Sequence, residues 1–215
     1  MGWDASDETY TKLHEGFQGL IDEGDLPTSG KVLELGCGAG NTSAWLAKKG
    51  YQVVGVDISP TAIEWAKERI SAVGVSASFV LGDVLRLDGL DDDHFDLVID
   101  SHCLHCIIGD DRQRFLSEAF RVLKPGGAIW IDTMCEPVIA EKLLGYDPPT
   151  KCQLVGEGEE RFAGRYIGAR DDIETEVTKA GFKIDSSTLD EQAENPDDCC
   201  GMLTILASKP TMRLL

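Results

Sequence analysis

Positive charge is scarce in this sequence relative to negative. Twenty Lys and Arg stand against 38 Asp and Glu, a formal net charge of −18 at pH 7. Such a field repels phosphate backbones and anionic lipid, which excludes nucleic acid and membrane surfaces as expected partners and suits an uncharged or cationic small molecule. Long apolar runs are missing too, and so is a basic amino-terminal segment leading into an apolar core. Neither a bilayer span nor a secretory leader is therefore expected. No repeat is visible, and no Pro-, Ser- or Gly-rich stretch divides the chain. At 215 residues, 42% hydrophobic and 27% charged, it suits one globular domain with a sizeable core. The seven cysteines (37, 103, 106, 135, 152, 199 and 200) are odd in number and follow no regular framework. Free thiols in a reducing cytosol, and hence a cytoplasmic location, are the expectation.

What is present is an alternation of short apolar runs and amphipathic stretches. The acidic opening segment, 1–29, places Leu13, Phe17, Leu20 and Ile21 at helical spacing and reads as a helical cap. A buried strand over 31–35 then ends in glycines, and a helix over 41–49 stops at Gly50. A Val-rich strand, 51–57, precedes Ser59 and Pro60, which cap and start a helix through Ile70. Strands follow at 78–81 and 95–100. Asp110 and Asp111 open a helix closed by Lys124-Pro125-Gly126-Gly127, and a fifth strand covers 128–133. Residues 134–170 break the rhythm with Pro137, Pro148, Pro149 and five glycines, and read as an insertion over the top of the sheet. A helix over 173–180 and strands at 182–189 and 202–207 close the chain, with an acidic loop, 190–198, between the last two. The α/β alternation predicts a mostly parallel sheet with helices on both faces and an antiparallel C-terminal strand pair, one unit spanning 30–215.

Glycines after the first strand let backbone approach a ligand, and the following helix offers free N–H groups. A dehydrogenase loop wants a third glycine where this chain has Asn41, and Glu34 would set a carboxylate beside a pyrophosphate. Glu34-Leu35-Gly36-Cys37-Gly38-Ala39-Gly40 instead resembles the first motif of the class I methyltransferases that use S-adenosylmethionine (SAM). Asp57 ends the second strand, Gly82-Asp83-Val84 follows the third, and Leu123 to Gly127 resembles the family's turn before strand five. The resemblance implies a Rossmann-like fold of seven strands and SAM as cofactor. It assigns to cofactor binding Glu34, Gly36, Cys37, Gly38, Gly40, Asp57, Ile58, Asp83, Val84 and Ser101, with Asp57 on the ribose hydroxyls, Asp83 on the adenine amine and the Val84 N–H on its ring. The placement agrees independently: segments 36–40, 57–58, 83–84 and 100–105 each follow a parallel strand, and ligands of open α/β sheets bind beyond those ends.

The acceptor side is less marked. Methyl transfer from a sulfonium needs alignment and exclusion of water, and a base only where the nucleophile holds its proton. Asp100-Ser101-His102-Cys103-Leu104-His105-Cys106 is the richest polar cluster, and in the family this segment borders the transferred methyl. His102 and His105 are the catalytic candidates, with a packing role open for each. The Asn/Asp-Pro-Pro-Tyr signature of adenine and glutamine-amide methyltransferases is absent here. Cys103 and Cys106 have C-x-x-C spacing without a second such pair, so no metal is expected, although a thiol or metalloid acceptor stays an alternative. In the insertion, Arg161, Arg165 and Tyr166 are candidates for the acceptor; the two arginines equally offset Glu157, Glu159 and Glu160. Trp3, Tyr10 and Phe17 either close over the ligands or cap the sheet. The expectation is an enzyme acting on a small-molecule acceptor, monomeric or homodimeric, with SAM binding without turnover as the other possibility.

Overall fold

The computed structural model describes residues 10–139, 141–156, 160–191 and 199–211. Its main element is a seven-stranded sheet in the order β3-β2-β1-β4-β5-β10-β9. The strands are β1 (Lys31–Leu35), β2 (Gln52–Asp57), β3 (Ala77–Leu81), β4 (Phe95–Ser101), β5 (Leu123–Val138), β9 (Lys183–Asp190) and β10 (Cys200–Ser208). Neighbours from β3 to β5 pair in parallel, while β10 lies antiparallel between β5 and β9. The order reverses between β1 and β4, the switch point at which open α/β sheets form ligand crevices.

Helices cover both faces, because the central strands are apolar on both sides and have no water-facing side. On one face, Leu33, Leu35, Val98 and Ile131 pack under α4 (Asp111–Val122) and α5 (Arg170–Lys179), through Phe115, Leu116, Ala119, Ile173 and Val177. On the other, Val32, Val53, Leu97 and Ile99 meet α1 (Thr11–Glu23) and α2 (Asn41–Lys48). Phe17 of α1 is 2% exposed and sits edge-on to Trp130 of β5, with ring centroids 5.5 Å apart. It caps the sheet. Trp3 lies outside the described residues. The third helix, α3 (Pro60–Val73), begins as its sequence indicates, with the Ser59 hydroxyl accepting the Ala62 N–H at 3.3 Å.

The fifth strand is longer than its apolar run suggests. It absorbs the Pro-Gly-Gly turn and continues to Val138, because β10 pairs with it from Ser208↔Ala128 to Cys200↔Val138. The insertion has structure of its own, a small antiparallel sheet of β6 (Tyr146–Asp147), β7 (Cys152–Val155) and β8 (Phe162–Tyr166). Residues 157–159, with Glu157 and Glu159, and most of the acidic loop, 192–198, lie outside the described residues.

One side chain ties this small sheet to the main body. Arg112 of α4 is 2% exposed and forks onto Glu176 of α5, with Nε and Nη2 donating at 2.7–3.0 Å. Its Nη1 donates to the Leu104 carbonyl at 2.7 Å, and its guanidinium lies 4.2 Å from the centre of the Tyr166 ring. Removing one partner of a buried pair strands the other. Arg112→Ala should therefore lower unfolding stability by about 3–5 kcal/mol, measured in urea, and Arg112→Lys should recover only part of it, since a lysine has no fork.

Candidate active site

The carboxyl ends of β2, β1 and β4 stand side by side, level with the middle of β5, and this row carries four buried acids: Asp57, Glu34, Asp100 and Asp132. Between β1 and α2 the loop turns through Gly36, Gly38 and Gly40, whose φ angles of 67°, 52° and 73° favour glycine. At Gly36 a side chain is also sterically excluded: a Cβ there would lie 2.7 Å from the Cys103 side chain. The loop is held by Asp57, whose Oδ2 accepts the Gly38 N–H at 2.9 Å while Oδ1 accepts the Ser59 N–H at 2.8 Å. Cys37 contributes backbone only. Its thiol is buried beside Gly55, and burial with the charges of Glu34 and Asp57 pushes its pKa up, so it stays a neutral thiol.

The other cofactor candidates converge on the same end of the sheet. Ile58 is 74% exposed, an apolar side chain left uncovered immediately after Asp57. Asp83 uses Oδ1 to accept the Leu85 N–H at 2.9 Å, and Val84 turns its side chain into the core while no acceptor among the described residues takes its N–H. Ser101 donates to Glu34 Oε1 at 3.3 Å, and Ser43 donates to the other oxygen. Burial pushes Glu34 up to about 7 against the pull of those two hydroxyls. Asp100 is fully buried; Oδ1 accepts the Cys103 and Leu104 N–H groups at 2.9 Å each, and Oδ2 has no partner. Burial pushes this carboxyl to about 7 as well. An orphaned buried carboxylate oxygen, a glycine cradle and an uncovered isoleucine suit a nucleoside with a cationic centre and no phosphate, which is the chemistry of SAM.

Beyond Asp100 the chain turns sharply. His102 adopts φ 73°, unusual for a residue with a Cβ, and its N–H donates to the Asp132 carbonyl at 3.1 Å. Its Nε2 lies 2.7 Å from Asp132 Oδ2, while Thr204 of β10 donates to Asp132 Oδ1 at 2.9 Å. Desolvation lowers the His102 pKa, but the hydrogen bond and charge of Asp132 outweigh it, and the pKa stands above the ordinary histidine value. Asp132 escaped the sequence analysis. The available signal was an acid inside the apolar run Ile129-Trp130-Ile131, placed opposite Ser101 once β4 and β5 are in register. His105 behaves differently. It is 6% exposed, its Nδ1 has no partner, and burial with the charges of His102 and Arg165 pushes its pKa down to about 3.

The insertion candidates separate. Arg165 sits on β8, which packs against the Leu104–Cys106 turn, and its charge acts on Cys106 and on both histidines. Tyr166 stacks on Arg112, and Arg161 lies against Gly145. Of the thiols, Cys103 packs on Gly36 and Cys106 is exposed with its sulfur 3.9 Å from the His102 carbonyl. No group of metal-binding side chains occurs among the described residues. No described helix is long and apolar enough to cross a membrane.

Known proteins resemble this chain in sequence and fold. The family model described as "Methyltransferase domain" matches residues 33–131. Ribosomal RNA small subunit methyltransferase C of Alcanivorax borkumensis is 35% identical over 134 residues, 57% of this chain and 39% of that protein. Uncharacterized methyltransferase C750.03c of Schizosaccharomyces pombe is 31% identical over 105 residues, 49% of this chain and 72% of that protein. The solved SAM-dependent methyltransferase of Methanosarcina mazei superposes with a TM-score of 0.78 at 25% identity, covering 89% of this chain and 98% of that one. The chain spans 34–48% of the length of the first four curated relatives it matches.

Two outcomes follow from the geometry. Asp57→Ala should weaken SAM binding by about 1.5–3 kcal/mol in calorimetry, since it removes a charged acceptor and also frees the Gly38 amide; unchanged affinity would exclude Asp57 from the site. The second concerns pH. Glu34 and Asp100, raised from 4.5 and 3.8 to about 7, favour folding fully only below their unfolded values, and that contribution is lost as pH rises through about 7. A bound cation favours the ionised forms instead. SAM affinity should therefore rise roughly threefold to tenfold from about pH 6 to about pH 8, with proton release visible as a buffer-dependent binding enthalpy that Asp100→Asn diminishes.

Proposed function

The chain belongs to the class I SAM-dependent methyltransferases, and we propose that it methylates a small-molecule acceptor in the cytoplasm, with His102 as the base. The observation that carries the reading is the 2.7 Å contact between His102 Nε2 and Asp132 at the end of the sheet that also holds the glycine loop. When bound, SAM supplies an electrophilic methyl group with its leaving group already activated. The glycine loop, Asp57, Ile58, Asp83 and Val84 are the groups that would hold it.

The protein's remaining tasks are alignment and proton transfer. Asp132 accepts from Nε2–H and so selects the tautomer in which Nδ1 carries the lone pair. Nδ1 can then take the proton from an acceptor hydroxyl, amine or thiol, and the resulting imidazolium is held by the same carboxylate. Thr204 keeps Asp132 in place by occupying its other oxygen. His105, neutral and buried, supports the turn rather than exchanging protons. A small acceptor agrees with the net charge of −18, which opposes a phosphate backbone such as that named for the ribosomal RNA relative. Seven free cysteines agree with a reducing compartment.

His102→Ala should leave SAM affinity within a few-fold and lower turnover by about 10²–10⁴, the range for losing a general base. The rate with intact protein should fall as pH drops through the raised His102 pKa, because only the neutral ring accepts a proton. Asp132→Asn should move that limb to lower pH. Loss of less than about tenfold on His102→Ala, with a pH profile unchanged by Asp132→Asn, removes the base from this reading.

A further inference from the structure

The methyl-transfer reading leaves the acceptor's chemistry open, and one side chain narrows it. Arg165 sits on β8, which packs against the short turn Leu104–Cys106 carrying His105. Its positive charge acts on the exposed Cys106 thiol and on both histidines, and the Cys106 sulfur lies 3.9 Å from the His102 carbonyl. Several other arginines find carboxylates: Arg112 has Glu176, Arg114 has Asp111, Arg121 has Asp92 and Glu118, and Arg170 has Glu174. In a chain where acids outnumber bases by 38 to 20, this is the ordinary fate of a guanidinium. Arg165 has no carboxylate partner among the described residues. Asp132, the acid nearest this cluster in its contacts, is already occupied by His102 and Thr204.

We propose that Arg165 binds a carboxylate on the methyl acceptor and thereby sets the acceptor's nucleophilic atom beside Nδ1 of His102. The proposal rests on the methyl-transfer reading above. A guanidinium presents parallel N–H donors that match the two oxygens of a carboxylate, giving direction as well as attraction. Charge balance favours a carboxylate over a phosphate. Arg165 has no carboxylate of its own, so a monoanion matches its single positive charge, whereas a dianion would add charge beside Asp100 and Asp132.

The test uses the intact protein saturated with S-adenosylhomocysteine. Benzoate and 4-hydroxybenzoate are titrated against benzamide, 4-hydroxybenzamide and phenyl phosphate, by calorimetry and by ¹⁵N resonances of the His102 ring. The carboxylates should bind at least about tenfold more tightly than their amides. Arg165→Gln should erase that preference without changing amide binding, and Arg165→Lys should keep part of it. In the absence of a probe, Arg165→Gln should also raise the His102 pKa, because a neighbouring positive charge is gone, and carboxylate binding to the intact protein should raise it in the same direction, which a purely structural arginine would not allow. Equal binding of amides and carboxylates, no carboxylate binding at millimolar concentration, tighter binding of phenyl phosphate, or a preference that survives Arg165→Gln each overturns the proposal. Failure to bind S-adenosylhomocysteine would instead bring down the methyl-transfer reading and this proposal with it.

Discussion

Burying four carboxylates side by side on neighbouring strands is the constraint to which the rest of this molecule answers. Desolvation penalises each charge, the acids oppose one another, and a chain of net charge −18 offers little general relief. Every one of them is met by donors of a particular kind. Asp57 takes the amides of Gly38 and Ser59, Asp100 those of Cys103 and Leu104, Glu34 the hydroxyls of Ser43 and Ser101, and Asp132 the Thr204 hydroxyl and the His102 ring. Because many of these donors belong to loop backbone, satisfying the acids fixes the loops. The glycine turn, the start of α3 and the reversal after β4 are held by the acids they surround.

The same arrangement explains why the site suits a cation and a base together. Glu34 and Asp100 remain at the edge of ionisation near neutral pH, and Asp100 keeps one oxygen unpaired. A positive ligand gains most where acids are already dry and fixed, since no reorganisation is needed when it arrives. At Asp132 the protein supplies the positive partner itself. The two histidines, three residues apart, are driven in opposite directions, His102 upward by its carboxylate and His105 down to about 3 by burial and neighbouring positive charge. Groups pushed apart in this way acquire separate roles.

Much of the cofactor half was legible in the sequence because its signals are local. The glycines of 36–40, Asp57 beside Ser59-Pro60, and Gly82-Asp83 each mark a strand end within a few residues, and the sheet's own geometry brings those ends together. Strand five was misjudged in length, since its extension beyond Thr133 depends on pairing with Cys200–Ser208 and leaves no pattern within 134–138 itself. The small sheet of the insertion was missed for a related reason. Its strands are two to five residues long, too short for periodicity to register, and glycines and prolines around them read as loop.

Asp132 shows where reading along the chain stops. An acid within an apolar strand is ambiguous: it marks an edge, an error in the strand assignment, or a buried partner for something distant. Only the register that sets Ser101 opposite Asp132 decides among these, and that register comes from packing of whole strands rather than from neighbouring residues. Arg165 is a harder case, because its position depends on a separate sheet that Arg112 and Tyr166 fasten to the turn after β4. The surroundings of His102 are thus assembled from β4, β5, β10 and the insertion, which together span residues 95–208. Substitutions in the insertion can alter what faces His102 while leaving the acids of β1, β2 and β4 and their donors untouched. Separation of that kind lets one cofactor scaffold carry different acceptor sites.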